Sequence, residues 1–291
     1  MHYLLTYRQE YYQAVCDFLT ELNSGDNHHI NWNWARFEWM YEHPEFDSDL
    51  VASIGLWTDD EKVVGAAIYD MYFGEGFCGA LPEYAYLYPE ILEYACSKLS
   101  DEAGFGFAVC DGDAVLTEAA RQAGFEPTEQ SETVLRISLD RELTAELPEG
   151  FSVAELDPAK EPYAFQWLLW QGFDHGADRA EFERENEVIT HIDRLREHFN
   201  PYLSVSAVDI SGDKVSYCCL WYSDVTDYAY VEPVCTVPRC RGKGISKAVM
   251  YEALKRAKSL GAKYAYVLSD MDFYRKLGFE EYRKFTFYWK R

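Results

Sequence analysis

The sequence predicts an α/β chain made of two tandem domains, each a mixed sheet flanked by helices. Three observations carry this expectation. A strand–turn–strand pair, a helix, a strand, a short helix and a closing strand can be read in that order in each half. Ala120-Arg121-Gln122-Ala123-Gly124-Phe125-Glu126 in the first half parallels Tyr274-Arg275-Lys276-Leu277-Gly278-Phe279-Glu280 in the second. The 291 residues suffice for two domains, and 48% hydrophobic with 16% aromatic content supplies their cores.

The second half is the clearer copy. Tyr202–Asp209 and Val215–Tyr222 alternate as strands around the turn Ser211-Gly212-Asp213-Lys214, and Tyr228–Val237 is a third strand. Ile245, Val249, Ala253, Leu254 and Ala257 recur at helical spacing, and Gly261 closes that helix. Tyr264–Leu268 is a strand, a short helix ends at Leu277-Gly278-Phe279, and Glu281–Trp289 is the last strand. In the first half, Val51–Trp57 and Val63–Tyr69 flank the turn Asp59-Asp60-Glu61-Lys62. A helix over about Glu90–Leu99, a strand at Phe105–Val109 and a closing strand at Leu135–Leu139 follow. Aromatic helices near Trp32–Tyr41 and Phe165–Phe173 precede the two strand pairs. Pro148 and Gly150 mark a linker at Leu143–Gly150, which divides the chain into domains at 1–146 and 147–291.

Charge is distributed unevenly. Residues 1–150 hold 29 acidic and 7 basic side chains, a net of −22, whereas residues 151–291 hold 21 and 20, a net of −1. Residues 239–263 concentrate eight bases against Glu252 alone, so a polyanionic ligand belongs there. The acidic remainder argues against nucleic acid as a partner. It suits either a cationic substrate or simple solubility. No stretch approaches the roughly 20 apolar residues of a membrane helix, and the N-terminus does not read as a secretory signal. The eight cysteines show no ligand-like spacing, so the expectation is a cytoplasmic protein with reduced thiols and no metal.

One segment carries chemistry. Val234-Cys235-Thr236-Val237-Pro238-Arg239-Cys240-Arg241-Gly242-Lys243-Gly244-Ile245-Ser246 runs from a strand through a glycine loop into a helix. Unpaired amides at a helix N-terminus bind phosphate, and Gly242 and Gly244 let the backbone approach a diphosphate. Arg239, Arg241 and Lys243 add charge. Neither the Walker pattern nor the dinucleotide fingerprint fits.

Arg239-Cys240-Arg241-Gly242-Lys243-Gly244 resembles the R/Q-x-x-G-x-G/A motif of the GNAT acyltransferase superfamily. Asp272-Phe273-Tyr274-Arg275-Lys276-Leu277-Gly278-Phe279 resembles that family's later Y-x-x-x-G-F segment. The resemblance is strong over 151–291 and weak over 1–146, so it implies tandem GNAT-like domains with a degenerate first copy. It further implies acetyl-CoA, or another acyl-CoA, as co-substrate. Main-chain groups of Cys235 and Val237 would pair with pantetheine, and amides from Arg241 through Gly242, Lys243, Gly244, Ile245 and Ser246 would wrap the diphosphate. An amine then attacks the thioester directly, Tyr274 protonates the leaving thiolate, and Glu232 serves as base or merely binds the ammonium.

The first half has no basic Gly-x-Gly loop between Phe77 and Ile91, and Ala120 stands where Tyr274 stands in the second, so no coenzyme A site is expected there. His28, His29, Trp32, Trp34 and Trp39 either line a cleft or pack in a core, and His175 and His191 read as surface or core histidines. Trp167, Trp170 and Phe173 either wall an acceptor site or pack. The resemblance assigns acceptor contacts to Tyr163–Phe173 and Glu181–Phe199. The expected acceptor is the primary amine of a small molecule, with a cationic one such as a polyamine, aminoglycoside or amino-acid derivative favoured by the acidic half. The chain is expected to act as a monomer or homodimer, without nucleic acid or membrane. A catalytically silent acyl-CoA-binding module is the alternative. An aminoacyl-tRNA-dependent transferase is disfavoured by the lack of a second basic patch.

Overall fold

The computed structural model describes residues 3–43, 46–185 and 198–291. His191 and most of the acceptor segment expected over Glu181–Phe199 therefore lie outside the described residues. β1 (Tyr3–Thr6) precedes helices α1 (Tyr12–Leu22) and α2 (Trp34–Glu42). β2 (Gly55–Asp59), β3 (Lys62–Asp70) and β4 (Tyr72–Ala80) form an antiparallel meander. α3 (Tyr88–Lys98) leads to β5 (Phe105–Cys110), and α4 (Ala114–Gln122) leads to β6 (Glu126–Ser138). The same order returns as β7 (Phe151–Glu155), α5 (Pro162–Gly172), α6 (Arg179–Glu185), β8 (Ser204–Asp209), β9 (Lys214–Tyr222) and β10 (Tyr228–Thr236). α7 (Ile245–Leu260), β11 (Tyr264–Leu268), α8 (Asp272–Lys276) and β12 (Glu280–Lys290) complete it.

The chain forms two compact units that are not collinear with the sequence. The first holds Met1–Leu135, Leu268–Asp272 and Glu281–Arg291, and the second holds Arg136–Val267 and Phe273–Glu280. Strand order in the first is β1-β2-β3-β4-β5-β12-β6, so the C-terminal strand completes the N-terminal sheet. There β12 runs antiparallel to β5, from Phe285↔Cys110 to Lys290↔Phe105. In the second unit the order is β11-β10-β9-β8-β7.

Each unit contains a parallel step, β4 to β5 and β10 to β11, with a crossover helix between the strands. α3 and α7 fill those crossovers, and each buries one apolar face: Ile91, Leu92 and Ala95 in α3, and Ile245, Val249, Ala253, Leu254 and Ala257 in α7. Gly261 ends α7 in a left-handed conformation (φ 117°), as the sequence suggests.

Several expectations need adjusting. Residues 51–53 form a 3-10 turn, and β2 begins only at Gly55. β6 starts at Glu126, well before the expected Leu135. β1 and β4 are strands that the sequence did not suggest. The tryptophans Trp32, Trp34 and Trp39 are buried in the first unit, and seven of the eight cysteines are buried.

Candidate functional site

The site is built where β10 parts from β11. Their parallel ladder covers only Tyr228↔Tyr264, Ala229↔Ala265 and Tyr230↔Tyr266, although β10 continues to Thr236. Just beyond the ladder, β10 is irregular against β9. Val231 faces Leu220 and Val234 faces Cys218, so three β10 steps span two on β9. The cis peptide Glu232–Pro233 lies within this bulge. The Trp221 indole N–H donates to the Glu232 carbonyl at 2.8 Å, which fixes the irregular strand from the β9 side.

Past the bulge the strand orients its peptide groups in a definite way. The Val237 N–H donates to the Val215 carbonyl on β9 at 3.0 Å. By antiparallel alternation Cys235 faces the same way, and the peptide groups of Val234 and Thr236 face the open edge. This corrects the expectation that Cys235 and Val237 present their main chain to a ligand. The Cys235 side chain is also enclosed: its thiol lies 3.9 Å from the Leu168 carbonyl on α5, and burial pushes it up to about 12.

The strand then turns through Pro238–Cys240 into a loop ending at Gly244. Gly242 (φ 74°) and Gly244 (φ 81°) are left-handed, where a side chain is strained, and a Cβ at either would meet no atom within 4 Å. Gly244 caps α7 without any side-chain hydrogen bond, and no acidic residue lies in the first turn. The first helical N–H with a main-chain acceptor is Ala248, bonded to Gly244 at 3.1 Å. The amides from Gly242 to Lys247 thus have no partner among the described residues, and they crown a 16-residue helix.

The cations of this segment are mostly committed elsewhere. Arg239 bonds Asp209 at 2.8 Å and reaches Asp213 at 3.5 Å. Desolvation alone would raise the Asp209 carboxyl, but the Arg239 guanidinium and the amides of Asp213 and Ser211 hold it below its usual value. Arg241 bonds Thr236, Asp174 and Gly172. Lys255 and Arg256 pair with Glu252, and Lys263 pairs with Asp227. Among the described residues Lys243 and Lys247, one before and one within the first turn of α7, have no carboxylate partner. Lys247 rests over the Tyr251 ring at 5.2 Å.

Tyr274 on α8 is buried, with its ring against Phe273 and Phe279 at 5.0 and 5.7 Å. Burial first, then the Glu232 carboxylate and the Cys218 thiol, push its hydroxyl well above the ordinary phenol range. Burial above all, then Cys219, Glu232 and Cys235, raise the Cys218 thiol. The two residues expected to do chemistry, Tyr274 and Glu232, are therefore electrostatic neighbours beside the parting strands. Cys218 and Trp221 join them unannounced; in the sequence both read only as strand residues.

The expected aromatic wall is different in composition. Trp167 and Trp170 pack on Phe182 of α6 at 5.1 and 5.7 Å, while Phe173 is exposed. His175 lies against Trp170 at 5.0 Å.

Sequence comparison matches the segment that holds this strand and loop. Residues 163–279 match the Acetyltransferase (GNAT) family. This segment is a GNAT domain. Solved structures align with the whole chain. A tandem GNAT protein from the clavulanic acid biosynthesis pathway aligns over 99% of this chain and 98% of its own, at 13% identity and TM-score 0.62. A GCN5-related N-acetyltransferase from Sphaerobacter thermophilus aligns over 99% and 95%, at 15% identity and TM-score 0.59. A GNAT-family acetyltransferase from Colwellia psychrerythraea aligns over 100% of both chains, at 13% identity and TM-score 0.55. At such identities the likeness establishes the fold, that of a two-domain GNAT protein. No curated protein matches the sequence. No helix among the described residues is long and apolar enough to cross a membrane.

Proposed function

We propose that this GNAT protein transfers an acyl group, acetyl from acetyl-CoA, to the primary amine of a small acceptor by direct attack in a ternary complex. One observation carries the proposal: the uncapped start of α7, with open space before Gly242 and Gly244, adjoins the bulged strand that parts from β11. Free amides at the positive end of a helix dipole suit a diphosphate. Lys243 and Lys247 supply the side-chain charge. The open-edge peptide groups of Val234 and the N–H of Thr236 are placed to pair with the amide-bearing pantetheine arm, while the Thr236 carbonyl is held by Arg241.

The chemistry follows from the neighbours of the bulge. The amine nitrogen bonds to the thioester carbonyl carbon, and a strand N–H at the bulge stabilises the tetrahedral oxyanion. Glu232 takes the proton that nitrogen sheds, directly or through water. As the carbon–sulfur bond breaks, Tyr274 gives its proton to the thiolate. A phenol, whose ordinary pKa is about 10, holds its proton at neutral pH as a general acid must, and burial here tightens that hold.

The first unit is assigned no donor site. β4 and β5 also part early, pairing only at Glu75↔Gly106 and Gly76↔Phe107. There, however, Trp32 stacks on Phe77 at 5.5 Å and His29 meets it edge-on at 5.8 Å. The turn that follows, Pro82–Leu87, has no glycine and no base. The acidity of residues 1–150 favours a cationic acceptor by raising its local concentration.

The test is release of free thiol from acetyl-CoA across a panel of cationic, neutral and anionic amines. Turnover with cationic amines is expected. Turnover confined to neutral or anionic amines would overturn the acceptor class, and none with any amine would overturn the enzyme.

A further inference from the structure

Arg241 stands inside the loop motif, yet each of its side-chain nitrogens is already bonded within the chain, to a strand end, a helix end and a loop carboxylate. Its Nε donates to the Thr236 carbonyl at 2.9 Å, its Nη1 to the Asp174 carboxylate at 3.0 Å and its Nη2 to the Gly172 carbonyl at 2.8 Å. Thr236 ends β10 and Gly172 ends α5. The Gly172 carbonyl is one of those a helix leaves unpaired at its C-terminus, where a cation is also favoured by the dipole. α5 comes so close to β10 here that a Cβ on Gly172 would lie 2.6 Å from both Cβ and Sγ of Cys235. One planar guanidinium thus caps a helix, seats it on the donor strand and fixes the first residue of the glycine loop. Arg239 is engaged in the same manner, on the Asp209–Asp213 turn between β8 and β9.

We propose that Arg241 is a positioning residue for acyl transfer and not a ligand of the diphosphate. Paired with Asp174, it holds the loop in the shape whose amides do the binding, and it leaves Lys243 and Lys247 as the side-chain cations of the site. This rests on the donor-site assignment made above. It separates two roles that the motif's run of basic residues presents as one.

The experiment compares wild type with Lys243→Ala, Arg241→Lys and the charge-balanced double variant Arg241→Gln/Asp174→Asn. Coenzyme A binding is measured by calorimetry between about 50 and 300 mM salt, where screening changes most. Amide hydrogen exchange over residues 166–174 is measured without ligand. Lys243→Ala is expected to weaken binding about tenfold, to flatten its salt dependence and to leave exchange over 166–174 unchanged. The double variant should bind about threefold more weakly, keep the wild-type salt slope and exchange faster over 166–174. Arg241→Lys keeps the charge but cannot make a three-way planar contact, so it should exchange faster as well.

A double variant whose salt slope flattens as much as that of Lys243→Ala would overturn the proposal. So would wild-type exchange in Arg241→Lys. Absence of coenzyme A heat with the wild type would instead defeat the donor-site assignment, and the ligand-free exchange would still report whether Arg241 caps α5.

Discussion

Replacing Tyr274 with Phe removes one oxygen and little else. The ring is 8% exposed and wedged between Phe273 and Phe279, so its packing survives the change. The hydroxyl has no hydrogen-bond partner among the described residues, so its removal orphans no buried group. Stability should change by less than about 0.5 kcal/mol, which for units of this size moves the melting temperature by no more than about 2 °C. Catalysis should suffer far more. Loss of a positioned general acid lowers kcat by about 10²–10⁴, or about 3–5 kcal/mol in the barrier, while the KM for acetyl-CoA stays near its wild-type value. Thiol release under saturating amine, set beside coenzyme A calorimetry on the same variant, separates these effects. A kcat within about threefold of wild type would refute the assignment. So would a loss that appears wholly in KM, or a melting temperature several degrees lower, which would mean that the hydroxyl serves packing.

Three further outcomes follow from the geometry. Gly244→Ala places a left-handed alanine in open space, so the fold should lose only about 1–2 kcal/mol while coenzyme A affinity falls at least about tenfold; unchanged affinity in calorimetry would show that the ligand does not meet this loop. Gly172→Ala drives a methyl to 2.6 Å from Cys235 and should destabilise the second unit by about 1–3 kcal/mol, with Cys235→Gly in the same chain restoring part of the loss in thermal melts; a melting point equal to wild type would contradict the close approach. Burial holds His29 down to about 4, with Asp113 acting the other way. The unfolded chain therefore takes the proton first, and stability drains away as pH falls from about 6.5 toward 4. His29→Gln should flatten that window in urea midpoints measured at pH 7 and pH 4.5, and an unchanged difference between the two would refute it.

The sequence disclosed the second unit more fully than the first. β11 is Tyr264–Leu268 in both, and α7 begins at Ile245 in both, because alternation, helical spacing and Gly261 all agree there. β4 was invisible since Gly74, Gly76 and Gly79 dilute its pattern. Two of them are required by closeness: a Cβ at Gly76 would strike the Ile68 carbonyl at 2.1 Å, and one at Gly79 the Phe77 ring at 2.3 Å. The β12 strand was legible but its partner was not, because periodicity reports a face and says nothing of which sheet receives it.

The candidate site divides in the same way. The glycine loop and Tyr274 come forward as candidates because their types and spacing match a family motif, and Glu232 because it is a carboxylate on the strand leading to that loop. The commitment of Arg239 and Arg241 could not, because Asp209 lies 30 residues and Asp174 67 residues away in sequence. The direction of the Val237 N–H depends on register against β9, which a bulge resets.

The central claim is that the loop before α7, and nothing in the first unit, holds the donor. Titration of coenzyme A into the full chain, read by calorimetry for both affinity and stoichiometry, addresses it most directly. The account predicts one carrier per chain, with binding lost or sharply weakened in Gly244→Ala. No heat, two carriers per chain, or equal binding by that variant would contradict it.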